Sequence, residues 1–278
     1  MPVKIITDST ADIPEAIAKE LGIVVIPQYL VFGNKSYRDR IDIGDDEFYD
    51  KLVHGKVQPT TSQPTPQDFI NLYNETGKDA DGIVAILISS KLSGTVNSAE
   101  QAKKAAKVNC HIEVIDSHSI SMALGMVVVE AARMAKAGKD IKTITKSAKD
   151  MRSHVKLLIV FDTLEFLARG GRIGKAKSLL GSLLNVKPLL SIKDGELVPI
   201  SQVRSRAKGK EKLLEFVAAA KDLQELCVIH STTEDEAKEL AASIKELPQS
   251  KIMVARLGPV VGTHAGPGVL AIALRTKS

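Results

Sequence analysis

A cluster of hydroxyl side chains and a glycine separates two regular patterns at residues 89–95. The sequence there, SSKLSGT, follows an apolar run (Gly82–Ser89) typical of a buried strand and precedes a helical pattern that starts at about Gly94. Serine and threonine at a helix start satisfy free backbone N–H groups, so these hydroxyls are expected to cap the helix. A helix N-terminus that follows a strand also favours an anionic ligand. The residues themselves leave both interpretations open.

Three more segments place polar side chains in loop-like sequence. The segment PTTSQP (59–64) carries hydroxyls just ahead of Thr65, which is a good helix N-cap. The segment GPVVGTHAGPG (258–268) holds His264 among four glycines and two prolines, which predicts a shaped loop. The segment DSTAD (8–12) follows the first predicted strand. A cation or phosphate site competes there with the ordinary explanation, a turn stabilised by Asx and hydroxyl side chains.

Several catalytic and nucleotide-binding motifs are excluded. Residues 266–271 match the dinucleotide pattern GxGxxA, but only seven residues follow Ala271, too few for the helix, strand and acidic residue that such a site needs. GGRIGK (170–175) resembles a phosphate loop, but Arg169 stands where a Walker A motif requires its first glycine and Ala176 replaces the Ser or Thr. GxSxG, HExxH, metal-spaced Cys/His clusters and EF-hand loops are absent from the sequence. We therefore expect neither bound ATP nor a metal.

The composition indicates a globular protein that does not bind nucleic acid. Among 278 residues, 44% are hydrophobic and 26% are charged, which is ordinary for a globular chain. The net charge of +5 is mild, and aromatic residues make up 4% without any tryptophan, so bases would find few side chains to stack on. The basic run RSRAKGKEK (204–212) is typical of a solvated helix face. It is also the candidate for a transient contact with an anionic membrane surface.

Cysteine content and hydropathy favour a cytoplasmic protein. Cys110 and Cys227 lie far apart and form no CxxC motif, and the chain does not start with a secretory signal pattern, which together favour a reducing compartment. The longest apolar helical stretch, Met122–Ala135, is interrupted by Glu130 and Arg133. It is too short and too charged to span a bilayer.

The order of predicted elements indicates two α/β domains. The first half alternates strands, one of them over Ile23–Phe32, with helices, which predicts a three-layer α/β/α domain around a parallel sheet. In the second half a short helix is expected to end in Arg169-Gly170-Gly171-Arg172, and a second helix is expected after it. Asp194-Gly195 predicts a hairpin, and a further helix is expected over Gly209–Lys221. Strands and helices continue from there to the end, which predicts a mixed sheet. We place the domains at residues 1–155 and 156–278 and expect them to pack closely, with the ligand between them.

Five of these segments together resemble the DegV family. In chain order they are TDSTAD (7–12), PTTSQPTPQDF (59–69), SSKLSGT (89–95), LEFLARGGRIG (164–174) and GPVVGTHAGPG (258–268). The match runs essentially from end to end. It implies a bacterial protein with two α/β domains that binds a single long-chain fatty acid in a tunnel between them. The resemblance implies no cofactor and no autonomous catalysis.

The resemblance also implies a partner and roles for individual residues. The partner would be a separate ATP-dependent fatty acid kinase subunit, which phosphorylates the bound acid and so feeds phospholipid synthesis. Four residues would contact the carboxylate of the fatty acid: Thr61, Ser93, Gly94 through its backbone, and His264. Three would contact the ligand or the partner: Arg169, Arg204 and Arg206. The spacing does not decide between Arg204 and Arg206 for the partner contact.

The chemistry of these residue types agrees with a buried carboxylate, which must receive several hydrogen bonds because its burial is otherwise costly. Thr61 and Ser93 donate through their hydroxyls, and His264 is expected to titrate near neutrality and to donate from one ring nitrogen. Each buried methylene of the tail contributes roughly 0.8 kcal/mol. The tail therefore supplies most of the expected affinity.

Two other functions are compatible with the same residues. A lipid hydrolase or acyltransferase would use Ser93 as nucleophile and His264 as base, but the sequence offers no nucleophile elbow and no evident carboxylate to orient the histidine. A phosphosugar or glycerone-type enzyme subunit would use the anion-binding features. It needs a polar cleft, whereas the fatty-acid hypothesis needs a long apolar tunnel.

Overall fold

The computed structural model describes residues 2–179 and 186–277, and its elements confirm the predicted α/β class. The strands are β1 (Val3–Asp8), β2 (Val24–Ile26), β3 (Tyr29–Phe32), β4 (Lys35–Arg38), β5 (Thr60–Ser62), β6 (Gly82–Leu87), β7 (His111–Asp116), β8 (Val155–Val160), β9 (Lys187–Lys193), β10 (Glu196–Val203), β11 (Leu223–His230), β12 (Ile252–Arg256) and β13 (Leu270–Thr276). The helices are α1 (Glu15–Leu21), α2 (Asp45–His54), α3 (Pro66–Thr76), α4 (Thr95–Ala105), α5 (Ser121–Lys136), α6 (Ile141–Met151), α7 (Glu165–Arg169), α8 (Arg206–Ala218), α9 (Glu234–Ser243) and α10 (Pro259–Ala265).

The first sheet is parallel and is covered on both faces, as predicted. Its strands stand in the order β2-β1-β6-β7. Every residue of β6 is buried, as in a central strand covered by helices on both faces. Helices α1, α5 and α6 pack on one face, and α3 and α4 pack on the other. Thr65 starts α3 with the capping box that its sequence indicates: its hydroxyl accepts from the backbone N–H of Asp68, whose carboxylate accepts from Thr65.

The second sheet is mixed, also as predicted. Its order is β10-β9-β8-β13-β11-β12, antiparallel except between β11 and β12. The predicted Asp194-Gly195 hairpin joins β9 to β10 with both residues at positive φ. Helices α8 and α9 cover the outer face of this sheet. The inner face packs on α5, α7 and α10. The boundary at residues 155/156 stays a prediction.

A small third sheet was not predicted. Strands β4, β3 and β5 form it, and α2 packs against it together with Val260 of α10. The strand expected over Ile23–Phe32 is in fact two strands, β2 and β3. Pro27 lacks a backbone N–H for the ladder. At the same place Gln28 turns its amide into the interior of the protein, so the chain leaves the first sheet between them.

The structure departs from the predicted elements at four other places. The segment 258–268, expected to be a loop, contains helix α10, which begins with Pro259 at its first position, where proline is favoured. The helix expected over Gly209–Lys221 begins at Arg206, because the hydroxyl of Ser205 caps it. Helix α6, which Asp140 caps, was not predicted. Of the helix expected after Arg172, a 3₁₀ turn occupies Gly174–Leu179, and residues 180–185 lie outside the described residues.

Across residues 2–179 and 186–277, no helix combines the length and the apolar character needed to cross a membrane.

Candidate functional site

A cavity lies where the inner face of the second sheet meets the carboxyl-terminal edge of the first. It holds about 830 Å³ of empty space, including the part open to solvent. Its walls are mostly apolar, formed by Ile88, Leu92, Ile120, Leu157, Ile159, Phe161, Leu167, Leu197, Ile229, Leu257, Val260, Val261, Ala265, Val269 and Ala271. These walls contradict the polar cleft that a phosphosugar enzyme needs.

The side chains of β13 point alternately to the two faces of the second sheet, and this explains why its inner face has room for a cavity. Leu270, Ile272 and Leu274 fill the outer core against α8 and α9, whereas Ala271 faces the cavity. Ala271 stands between Ile159 of β8 and Ile229 of β11 in the ladder. The small side chain therefore leaves space between two large ones.

The buried polar residues of the cavity wall already donate hydrogen bonds to buried carboxylates. Thr10 and the amide of Gln28 both donate to Asp8 Oδ1, the amide at 3.0 Å, and the Ser121 hydroxyl donates to Asp12 Oδ2 at 2.6 Å. Burial raises the pKa of both aspartates, that of Asp12 to about 6. These groups hold the interior together and leave its surface largely apolar.

The segment DSTAD positions other elements and shows no ion site. Asp8 accepts the backbone N–H of Thr10 at 3.0 Å and that of Ile88 at 2.9 Å, which confirms the Asx-turn interpretation. Asp12 Oδ1 accepts the N–H of Gly258 at 2.9 Å and so fixes the start of α10. Within the described ranges no group of acidic, cysteine and histidine side chains is arranged to hold a metal ion.

Thr61 and His264, both predicted site residues, meet at the partly exposed end of the cavity. A hydrogen bond of 2.7 Å joins Thr61 Oγ1 of β5 to His264 Nε2 of α10. Burial, together with the positive charge of Arg172, lowers the pKa of His264 to about 4. The expectation that this histidine titrates near neutrality was therefore wrong, and its ring is neutral at pH 7 with one donor and one acceptor nitrogen.

Gly170, at the end of α7, fixes the other side of the His264 ring. A β-carbon on residue 170 would overlap His264 Nδ1 and would lie 2.8 Å from Cε1. Nδ1 is buried and has no hydrogen-bond partner among the described residues. The ring is thus held between Thr61 and the Gly170 backbone, and its buried Nδ1 has no described partner.

Ser93 and Gly94 stand at the start of α4, but not as expected. The Ser93 hydroxyl hydrogen-bonds to Thr95 Oγ1 at 2.8 Å, and the N-cap is Gly94, so no described side chain caps this helix. The capping expectation was therefore wrong. Gln63, which also lines the cavity, lies so close that a β-carbon on residue 94 would be 2.5 Å from its Nε2. Ser93 lines the cavity, and Gly94 allows this close approach.

Arg172, which the sequence prediction missed, is the arginine that lines the cavity. Its Nη1 donates to the carbonyl of Gly170 at 2.7 Å, and its Nε donates to that of Leu92 at 3.3 Å. Arg169, the predicted residue, is exposed, pairs with Glu165 and Gln58, and does not line the cavity. The sequence signal was available, since an arginine stands on each side of the glycine pair.

Arg204 and Arg206 have different environments in the structure. Arg206 Nε donates to Glu236 at 2.8 Å, and its other nitrogens bond to the carbonyl of Gly268 and to Thr233. It therefore holds the segment that follows His264. Arg204 is exposed and makes no hydrogen bond or ion pair with any residue that the structure describes.

The geometry does not assemble a Ser–His catalytic pair. Ser93 bonds to Thr95 and His264 bonds to Thr61, and no hydrogen bond joins Ser93 to His264 in the described part of the chain. No described carboxylate reaches His264 Nδ1 to orient the ring. A hydrolase or acyltransferase is not favoured.

Comparison with known proteins supports a family assignment over the whole chain. Residues 2–277 match the family model described as "Uncharacterised protein, DegV family". A DegV domain-containing protein of Caldanaerobacter subterraneus subsp. tengcongensis is 37% identical over 279 residues, covering 99% of each chain. The protein DegV of Bacillus subtilis is 34% identical over 277 residues, covering 98% of each.

Solved structures show the same fold. A DegV family protein from Thermus thermophilus, described as fatty acid binding, matches with a TM-score of 0.92 at 34% identity over 100% of both chains. DegV of Bacillus subtilis, described as a fatty acid binding protein, matches with a TM-score of 0.88 at 34% identity, again over 100% of both chains. These matches confirm the resemblance: the chain belongs to the DegV family.

Proposed function

We propose that this protein binds a single long-chain fatty acid, with its tail along the apolar walls and its carboxylate among Thr61, Ser93 and His264. The observation that carries the proposal is an apolar cavity whose open end holds a polar cluster. The relatives described as fatty acid binding share the whole fold with this chain at 34% identity. The cavity offers about 0.8 kcal/mol per buried methylene before ordering costs.

The head-group end combines neutral donors with one positive charge. Thr61 and neutral His264 share one hydrogen bond and keep one further proton between them to donate to the carboxylate. The Ser93 hydroxyl is a second donor, and Arg172 supplies the charge. Hydrogen bonds to an ionised carboxylate are about twice as strong as those between neutral groups. Gly94 keeps the start of α4 close enough for its backbone N–H groups to contribute.

We further propose that the protein presents this carboxylate to a separate ATP-dependent kinase subunit and performs no chemistry itself. The open end of the cavity supports this, because Thr61, Gln63, Ser93 and His264 are partly exposed, whereas nearly all of the apolar wall residues are buried. Exposed Arg204 is better suited to a partner contact than Arg206, whose guanidinium is occupied. The basic segment 204–212 is proposed for transient contact with an anionic membrane surface.

Organic extraction of detergent-free protein, followed by mass spectrometry, tests fatty-acid binding. We expect a near-stoichiometric fatty acid, and after delipidation we expect stoichiometric reloading with palmitate or oleate. Thr61→Val, Ser93→Ala and His264→Gln should each weaken reloading, with Thr60→Val, one residue away and exposed, as the matched control. A clean extract together with failure to load either acid would contradict the proposal.

Presentation is tested with the acid-loaded protein, ATP and the kinase subunit of the same organism, trapping acyl phosphate with hydroxylamine. We expect acyl hydroxamate only when both proteins are present. Arg204→Ala should reduce its formation without reducing the loading of the acid. Hydroxamate formed without the kinase, or an unchanged rate for Arg204→Ala, would contradict the respective part of the proposal.

A further inference from the structure

A second cavity adjoins the proposed acyl chamber. It holds about 680 Å³ of empty space, part of it open to solvent. Its walls are half apolar, with Ala123, Val127, Val155, Leu157 and Ile192, and half polar, with Ser117, His118, Ser119, Arg152, Ser153 and Asp194. The first chamber and this one share a single described lining residue, Leu157.

One face of β8 runs from the first cavity into the second. Phe161, Ile159 and Leu157 line the first, and Leu157 and Val155 line the second. Phe161 lies toward the head-group end of the cavity. The chain continues from it into α7, and Gly170, which follows α7, lies against the ring of His264. From Phe161 to Leu157 the strand covers roughly 13 Å, so Leu157 stands at the far end of the chamber.

Two other elements also line the first cavity with one part and the second cavity with the next part, close to Leu157. On α5, Ile120 and Ser121 line the first cavity, and Ala123 one turn further lines the second. In the β9–β10 ladder, Leu197 lines the first cavity and its direct partner Ile192 lines the second. The boundary between the two cavities therefore runs across β8, α5 and the β9–β10 ladder.

Leu157 is the side chain at that boundary. It is 4% exposed, and its ladder partner on β13 is Ala273, whose side chain is too small to close the gap. We propose that Leu157 ends the acyl chamber and sets the longest fatty acid that the protein binds tightly. The proposal rests on the fatty-acid binding proposed above.

Removing this side chain joins the two cavities. In Leu157→Ala, the end of a longer acid would enter the second cavity along Ala123, Val155 and Ile192. Each further methylene buried strengthens binding about fourfold. The polar side chains beyond, such as Arg152 and Asp194, limit the gain to about two to four carbons, since burying them against methylenes is costly.

Competitive loading tests the proposal. Delipidated protein is offered an equimolar mixture of saturated acids from myristate to behenate, and the bound acids are measured by mass spectrometry. We expect the maximum for Leu157→Ala to move to acids about two to four carbons longer than for the wild type, with more than tenfold enrichment of the longer acids. Leu157→Val keeps a branched side chain and should give a smaller shift in the same direction.

Ile159→Ala is the matched control, because Ile159 lines the same face of the same strand but not the second cavity. It should change total binding without favouring longer acids. If the wild type binds no acid, the proposed function itself fails. If the wild type binds and both Leu157 variants keep its chain-length distribution or bind nothing, or if Ile159→Ala shifts it equally, the assignment to Leu157 is overturned.

Discussion

The imidazole of His264 lies directly on Gly170, in space that a β-carbon at residue 170 would occupy. Gly170 has φ −77°, a helical value that any residue adopts, so glycine is needed there for the approach of the ring. Thr61 holds the opposite side of the ring through Nε2. The glycine pair of the sequence thus helps to position a histidine that lies on a distant segment of the chain.

Gly170→Ala should displace the His264 ring and weaken fatty-acid binding by roughly tenfold, the loss of about one hydrogen bond to a charged group. Titration of delipidated protein with a fluorescent fatty acid measures this. Gly44→Ala is the control, because a β-carbon there meets no atom within 4 Å and the glycine has φ −85°. Equal affinities for the Gly170 and Gly44 variants would show that the ring position does not matter.

Arg172→Ala should weaken fatty-acid binding by roughly tenfold or more, because it removes a positive charge from the cavity wall. Arg169→Ala should leave affinity nearly unchanged, since that side chain is exposed and pairs with Glu165. The same fluorescent titration compares the two variants, and Arg172→Lys should recover part of the loss. The reverse order of effects would place the functional arginine on the surface of α7.

Arg206→Ala should lower the free energy of unfolding by about 2–3 kcal/mol, because the buried carbonyl of Gly268 loses its charged donor and Glu236 keeps only its longer contact with Lys210. Arg204→Ala should stay within about 0.5 kcal/mol of the wild type, as expected for an exposed side chain that pairs with none of residues 2–179 and 186–277. Urea denaturation of both variants measures the difference. Similar stabilities would mean that the Arg206 contacts contribute little.

The stability of fatty-acid-free protein should depend on His264 between pH 6.5 and about pH 4. In this range the unfolded imidazole binds a proton and the folded one does not, since its pKa is about 4. Stability is therefore complete above pH 6.5 and falls as the pH drops toward 4, by on the order of 3 kcal/mol.

His264→Gln removes this contribution, so it should lose less stability than the wild type between pH 7 and pH 4.5. Urea denaturation at the two pH values gives the comparison. Parallel losses in the two proteins would show that His264 protonates equally easily in the folded chain.

Asp39→Asn should stabilise the protein at pH 8. Burial raises the pKa of Asp39 to about 7, and although Ser9 donates to its Oδ2 at 2.6 Å, its Oδ1 has no described partner. Between about pH 4 and pH 7 the folded state keeps a proton that the unfolded state has lost, so wild-type stability falls as the pH rises. The asparagine removes this loss, worth on the order of 2–4 kcal/mol at pH 8.

The difference between Asp39→Asn and the wild type should shrink toward zero as the pH falls to 4. Asp42→Asn is the control, and it should destabilise the protein at pH 8 instead of stabilising it. Arg38 lowers the pKa of that exposed carboxyl to about 2, so its ionised form favours the folded state. Thermal denaturation from pH 4 to pH 8 follows all three proteins. A constant difference for Asp39→Asn across this range would mean that Asp39 is ionised throughout.

Local signals explain which parts of the fold were predictable. The Thr65 capping box and the Asp194-Gly195 turn depend on neighbouring residues, so their sequences were sufficient. The break at Pro27 and the small third sheet were missed because β3 pairs with β5, about thirty residues later, and no local pattern reports that pairing. Helix α10 was missed because its glycines suggested a loop.

The sequence by itself determined the α/β class, the two kinds of sheet and the family, since alternation, turn residues and motif order are written along the chain. Only the tertiary structure decided that Arg172 rather than Arg169 lines the cavity, and that Arg206 is hydrogen-bonded while Arg204 has no partner among the described residues. It also decided that His264 is neutral. The reason is physical: exposure, pKa and the walls of a cavity depend on which side chains from distant segments meet, and spacing along the chain does not specify those meetings.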